Sequence, residues 1–575
     1  QLMKLLIVIS SLVVSMLSVA QNLDKIGEEN PVTVTGGMSS NFVVNNSIGQ
    51  PQYRDPFNWV LSGNVTINII DVALPFTFSF SNAGNSFSQP FNMTALHPTY
   101  KNWKTHLGIT SMNFSQYTYS GLNFAGAGVE YAPEKWTFKA FGGRLKKAIE
   151  FDPVANNINA VSYKRMGFGF STAYKQKNWG TELVLFKAYD DGTSLQYNHK
   201  NPELTVRDNL VVSLISEARL FKVLQLKAEI ASSLLTQDVL VNDPAFKTPF
   251  YAGLVRGNQT TAISNAYNAS IDYRKKTVGI GLKYERIDPE YSTLGAIYFN
   301  NDLENITLNP SMSLFKNKVN LALSAGYQRN NIKNTNASDN KRWIGSANLS
   351  AQIIQGLSFN ASYSNMSSFT KQNPQADPFF NQFGDTLNYY QVSQNVSSSL
   401  AYSFGDSLRQ SMNLSATFAQ SQNITGRLED AGAFGLNVGV DTSQVPVDVY
   451  NAMFGHRLLF KSGLSLGYTF NANHSIAMGN TTSYIGPGLN IAKTLLDKKM
   501  RLSVATTYNR QFQNASLSNH VLNFRTSLRY SPELWDKKYG KLSMSLNGNF
   551  TNRLPVIGSA KNQNLMIIAN VSYQF

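Results

Sequence analysis

Six histidines are the side chains of this 575-residue sequence best suited to proton transfer or metal binding: His97, His106, His199, His456, His474 and His520. His474 is followed at once by Ser475, a base beside a nucleophile. Successive residues of a strand point to opposite faces, so the two cannot form a dyad in a regular strand. His97 and His106 stand nine positions apart in a long polar stretch, and two ligands without a third make no zinc site. His456 precedes a basic turn and reads as a rim residue. Asp190-Asp191 and the Asp-Pro pairs at 243–244, 288–289 and 377–378 suit ordinary turns as well as calcium loops. There is no cysteine, hence no disulfide, thiolate metal site or thiol nucleophile, and no phosphate-binding or dinucleotide fingerprint. The expectation is no enzyme: no catalytic residue, metal site or cofactor.

The elements that carry these residues are more informative. Residues are 42% hydrophobic and only 15% charged, against roughly 25% charged in ordinary soluble domains. Yet the mean hydropathy of −0.21 is too polar for a bundle of membrane helices. Only one long apolar run occurs. It follows Met3-Lys4, spans Leu5 to Leu17, and ends in Ser18-Val19-Ala20 before Gln21. A basic residue, an apolar stretch and a small-x-small site make a secretory signal, expected to begin at Met3 and to be cleaved between Ala20 and Gln21. The expected domains are the signal 1–20, a short periplasmic segment 21–31, and one body 32–575.

Across that body the dominant period is two. Phe76, Phe78 and Phe80 alternate with Thr77, Ser79 and Ser81; Leu357, Phe359, Ala361 and Tyr363 alternate with Ser358, Asn360, Ser362 and Ser364. Leu464, Leu466, Tyr468 and Phe470, and later Leu542, Met544, Leu546 and Phe550, repeat the scheme. This means strands with one apolar and one polar face. The segments run about 10 to 15 residues, where globular strands cluster near 5 to 6 and a tilted membrane crossing takes about 9 to 11. Their polar face is Ser, Asn, Thr, Gln and Gly rather than Lys and Glu, which suits a wet interior.

The turns fall into two classes. Short basic turns are flanked by aromatics: Tyr131 to Trp136, Tyr174 to Trp179, Tyr273 to Thr277, Phe315 to Lys318, Phe460 to Gly463, and Tyr530 through Trp535 to Tyr539. Between them come long polar stretches such as Asn82–Ser120 and Thr236–Thr260. Short turns at one rim, long loops at the other and aromatic girdles at the membrane interface describe a transmembrane antiparallel up-and-down β-barrel. Tyr131, Trp136, Tyr174, Trp179, Tyr273, Phe315, Phe460, Tyr530 and Trp535 are the expected girdle. In hydrocarbon every backbone polar group needs a partner, so such strands span only as a closed barrel. Eleven candidate short turns, with an opening and a closing strand, give about 24 strands, in a range of about 20 to 26. The short turns are expected in the periplasm and the long loops outside the cell.

The sequence ends Asn-Val-Ser-Tyr-Gln-Phe, still in alternation. Tyr573-Gln574-Phe575 resembles the C-terminal signal that the bacterial outer-membrane assembly machinery recognises in its barrel substrates, with Ala569 and Asn570 where that class carries a glycine. The resemblance implies a Gram-negative outer-membrane protein whose last strand pairs with an early one such as Val32–Asn46. In scale the barrel is similar to TonB-dependent receptors. Those carry a large plug before the first strand, whereas Gln21 and Val32 are about a dozen residues apart here and no TonB-box-like segment is evident. The stretch 82–120, with Trp103, Phe114, Tyr117 and Tyr119, is the candidate to fold inward and narrow the lumen, or to bind sugar rings or a protein.

Net charge is +15. Lys175, Lys177, Arg274 to Lys276, Lys316 and Lys318 sit in short turns, where they reach anionic headgroups. Charge so dispersed makes no contiguous groove for nucleic acid. Lys227 with Glu229, and Lys283 with Glu285, are expected to face the lumen. Two functions remain open: a channel moving a solute or polymer across the outer membrane, gated by 82–120 or by partners, and a non-conducting barrel that anchors surface or secreted proteins. Expected partners are outer-membrane lipid, the assembly machinery, and lipoproteins or surface proteins.

Overall fold

The computed structural model describes residues 32–49, 56–82, 92–151, 161–196, 204–241, 254–296, 301–330, 332–333, 341–365, 368–371, 388–405, 409–425, 447–477, 479–532, 540–556 and 562–575. Ala20, Gln21 and Trp535, and with them the expected signal and cleavage site, lie outside these residues. So does His199.

The chain is all-β. Twenty-eight hydrogen-bonded segments form one sheet, antiparallel throughout. Met93–Leu96 and Thr99–Tyr100 share one position on Trp103–Thr110, and Leu357–Ser364 and Ser368–Lys371 share one on Asn388–Phe404, which leaves 26 strand positions. Each strand pairs with its neighbours in sequence, and the last, Asn562–Gln574, pairs with the first, Val32–Ile48. The sheet therefore closes without an edge. At the seam Phe575 N donates to Gly36 O at 3.0 Å, Gly36 N donates back at 3.1 Å, and Asn570 Nδ2 donates to Asn41 Oδ1 at 2.6 Å.

Alternation builds the wall. The lateral row Leu400, Leu414, Phe454, Phe470 is apolar and exposed or half-exposed. Three rows along, Ser397, Thr417, Asn451 and Asn473 are paired across the same strands on the opposite face. A slip of one residue would exchange the two faces, so the pattern fixes register. On the other side of the barrel Leu226, Ile271, Leu282 and Leu308 continue the apolar skin. Soluble monomers rarely expose contiguous apolar patches beyond a few hundred Å². A skin that encircles the barrel matches hydrocarbon on the outside, with the polar rows on the concave side.

The count falls within the expected range of about 20 to 26, two above its central value of about 24, and the two strands beyond that value lie inside the stretch 82–120 that the sequence presented as one loop. Residues 93–110 form a hairpin of the wall, turning at Lys101-Asn102. Only residues 111–123 connect the next pair of strands at the loop rim. At that same rim Ala477 joins Asn480, and Gln513 joins Ser516, through two residues each, so long loops are confined to part of the rim. Both ends of the described chain lie at the turn rim: Val32 faces Ile69 beside the turn at 70–71, and Gln574 faces Lys541.

Candidate functional site

The expected girdle residues Tyr131, Trp136, Tyr174 and Trp179 form one continuous row of ring contacts together with Trp103 and Phe138. Trp103 lies on Tyr131 (ring centroids 4.2 Å apart), Tyr131 on Phe138 (6.5 Å), Phe138 on Trp136 (5.8 Å), Trp136 against Tyr174 (4.7 Å) and Tyr174 against Trp179 (5.5 Å). Trp103 belongs to this outer row at the turn rim, not to an inward loop, because it occupies the second strand of the 93–110 hairpin. Tyr273 is exposed on the outer face and Phe315 at a turn tip. Phe460 opens its turn with a 2.9 Å bond from its N–H to Leu464 O, and Tyr530 closes its strand opposite Met544.

Phe114, Tyr117 and Tyr119 do fold inward. They belong to residues 111–123, which descend into the lumen and meet a second segment, 288–296, that the sequence had presented only as an Asp-Pro turn. The two form a short parallel pairing, Tyr119 with Gly295 and Ser120 with Ala296. Tyr291 Oη donates to Tyr117 O at 2.7 Å, and Thr293 Oγ1 donates to Thr118 O at 2.7 Å. The wall holds both segments. Leu294 N donates to Asn209 Oδ1 at 3.0 Å, and Ser233 Oγ donates to Ser292 O at 2.6 Å.

Apolar packing supplies the rest. Tyr119 stacks between Phe141 (4.5 Å) and Phe186 (5.5 Å), Phe114 meets Phe141 at 5.5 Å, and Met112, Leu122 and Leu294 complete the cluster. A side chain at two wall glycines would destroy this fit. A Cβ on Gly169 would stand 2.3 Å from Phe141 Cε1, and one on Gly128 would stand 2.4 Å from Met112 Sδ. The lumen core therefore exists because these strands carry no side chain where the inward residues approach.

Charged wall residues pin the inward segments. Ser115 Oγ is hydrogen-bonded to Glu229, which also accepts from Ser213 Oγ at 2.8 Å. Tyr117 Oη donates to Glu285 Oε1 at 2.6 Å and accepts from Asn268 Nδ2 at 3.2 Å, while Lys283 Nζ pairs with Glu285 at 3.2 Å. Glu229 and Glu285 thus face the lumen, as the alternation required, but serve as anchors. Burial, then the Glu285 carboxylate, push the Tyr117 phenol well above the ordinary tyrosine range; burial does the same for Tyr119 and Tyr291. With their rings packed and hydroxyls engaged, Tyr119 Oη donating to Leu122 O at 2.8 Å, the tyrosines offer no open face for a sugar.

Each described histidine is engaged with a neighbouring side chain. His97 and His106 meet Nδ1 to Nδ1 at 3.1 Å, and His106 Nε2 contacts Glu130 Oε1 at 2.7 Å. This is a three-member hydrogen-bonded chain, and no group of three ligands able to hold a metal occurs among the described residues. His474 Nδ1 pairs with Ser483 Oγ across strands at 2.7 Å, while Ser475 Oγ donates instead to Thr482 O. His456 contacts Gln410 near the turn rim at 3.1 Å. Asp190 accepts two bonds from Arg165, at 2.7 and 3.1 Å, and is a structural partner.

No protein-family model matches this chain, and no curated protein does. Among solved structures, the P pilus usher (PapC) translocation pore is 10% identical over 94% of this chain and 98% of its own, with a TM-score of 0.37. The copper transporter OprC is 9% identical over 94% of this chain and 80% of its own, with a TM-score of 0.37. OccAB4 of Acinetobacter baumannii is 11% identical over 70% of this chain and 99% of its own, with a TM-score of 0.28. At such identities and scores the likeness carries no argument of its own; the strand pairing itself makes the described chain a large closed β-barrel of 26 strand positions.

Proposed function

We propose that the protein is a channel of the bacterial outer membrane, narrowed from within by residues 111–123 and 288–296, and that it moves a polar solute across that membrane. The observation that carries the reading is the division of the lumen. Strands from Trp103–Thr110 to Leu303–Leu314 hold the inward segments, whereas the opposite sector faces the interior with short hydroxyl and amide side chains such as Ser397, Thr417, Asn451 and Asn473. Such rows hydrate readily and leave room beside a constriction built on one wall. Export through a signal cleaved at Ala20-Gln21, assembly through Tyr573 and Phe575, and seating by the aromatic stack and basic turns complete this reading.

Reconstitution in planar bilayers tests it. Stable openings of folded protein support the channel; silence in a preparation whose gel mobility shifts on boiling refutes it. Silence would favour a scaffold that binds surface or secreted proteins. Phe221 and Phe315, 86% and 73% exposed at turn tips, are the feature that favours that second reading.

A further inference from the structure

The lumen is also divided in charge. In the sector that holds the inward segments, cations and carboxylates alternate: Lys104 with Glu130 (3.9 Å), Lys139 with Glu182 (3.8 Å), Arg165 with Asp190 (2.7 Å) and Lys283 with Glu285 (3.2 Å). From Val319–Arg329 round to Asn562–Gln574, and across the seam to Val72–Ser81, the described strands contain a single carboxylate, Asp448. Asp448 lies on the same side of its strand as Tyr450 and Phe454, which is the outer side, and accepts a bond from Gln420.

On the inner side of this sector stand arginines. Along Ser516–Tyr530 the outward residues are Leu522, Phe524 and Leu528. The alternate set points inward: Asn523 donates to Thr507, and Ser527 donates to Asn547, on the lumen face of the neighbouring strands. Arg525 and Arg529 share that parity. Arg529 stands directly opposite Arg501. Arg525 lies four residues further from the turn rim, and its partner on the next strand is Asn549. Four residues beyond Asn549 comes Arg553, again on the inner side, since Leu546 and Leu554 face out. At about 3.3 Å per residue these are steps of roughly 13 Å, from near one rim towards the other. Arg457 joins the lateral row of Arg525 through Gly467, Asn490 and Ala505.

Like charges directly opposite each other across strands destabilise a sheet, so the Arg501–Arg529 pairing needs a compensating partner. None of these arginines has an ion pair among the described residues. A planar guanidinium presents paired N–H donors that match an oxyanion, and two of them side by side can share one. We propose that Arg501, Arg529, Arg525 and Arg553 form an anion ladder and that the solute carries an oxyanion, carboxylate or phosphate, handed from step to step along these three strands. This deepens the channel reading and names its substrate class.

The test pairs two measurements on full-length protein. The first is the reversal potential in a tenfold KCl gradient, the second calorimetric binding of inorganic pyrophosphate at low salt. Wild type is expected to prefer chloride and to bind pyrophosphate. The R501Q/R529Q variant should lose that preference and weaken binding at least about tenfold, the scale of charge-assisted hydrogen bonds. Arg510→Gln, on the outward parity of the same strand, should change neither. A wild-type pore that is cation-selective or unselective, or a selectivity equal in wild type and R501Q/R529Q, overturns the ladder and leaves the channel standing. A silent pore that binds pyrophosphate through these arginines keeps the ladder and refutes conduction. Silence without binding refutes both.

Discussion

Replacing Tyr117 by Phe removes one oxygen from the constriction and leaves its ring in place against Tyr291, 6.4 Å away. The lost hydroxyl donates to a carboxylate, Glu285, at 2.6 Å, and accepts from Asn268 at 3.2 Å. Hydrogen bonds to charged groups contribute about 1.5–3 kcal/mol, so the variant should lower the free energy of opening residues 111–121 by about 2 kcal/mol. The barrel wall should be untouched, because Glu285 retains Lys283. At 1.4 kcal/mol per tenfold, opening becomes about 25-fold more frequent. Hydrogen exchange reads this directly. The amides of Phe114, Tyr117 and Thr118 are bonded to Tyr119 O, Ser115 Oγ and Ser115 O, all within the inward segment. Mass spectrometry of protein in lipid nanodiscs should show these amides exchanging about 25-fold faster in Tyr117→Phe, with wall amides unchanged. An acceleration below about threefold would refute the argument that the phenol–carboxylate contact pins the segment.

Gly169→Ala drives a methyl to within 2.3 Å of Phe141 and should loosen the same amides by about 1–3 kcal/mol, the usual scale of overpacking, with Phe141→Leu partly rescuing it. The buried phenols of Tyr117, Tyr119 and Tyr291 have raised values, so the stability they lend is complete below the ordinary tyrosine value of about 10 and is lost as pH rises above it. Exchange protection of 111–121 should accordingly be flat from pH 7 to 9 and fall above 10, and ultraviolet phenolate absorbance should lag behind that of the denatured chain. Trp103→Ala removes a 4.2 Å stack on Tyr131 and should destabilise the barrel towards urea by about 0.5–1.5 kcal/mol beyond its lost area, without altering conductance. Deleting Phe575 removes the two seam hydrogen bonds to Gly36 and should slow folding into liposomes, followed as the shift in gel mobility.

The wall was legible in the sequence because period two and its register penalty act at every residue. The two missing strands were not, because their turn lacks the usual punctuation. Lys101 takes a left-handed φ of 50°, a conformation that Gly or Asn normally signals, and the hairpin 93–110 is interrupted by His97-Pro98. The inward course of Phe114, Tyr117 and Tyr119 was indicated by aromatic density. Residues 288–296 gave no comparable sign, since Asp288-Pro289 looks like any turn and the role of Tyr291 depends on contacts far away in sequence, at Tyr117. The scarcity of acidic residues after Glu304 and the parity of Arg525 and Arg529 are both written in the sequence.

Because first and last strands lie side by side with their ends at the same rim, the described barrel is topologically a ring opened at one link between neighbouring strands. A short peptide bridging Phe575 to Val32, with new ends opened in the two-residue link after Gln513, should give a permuted polypeptide that folds to the same cylinder.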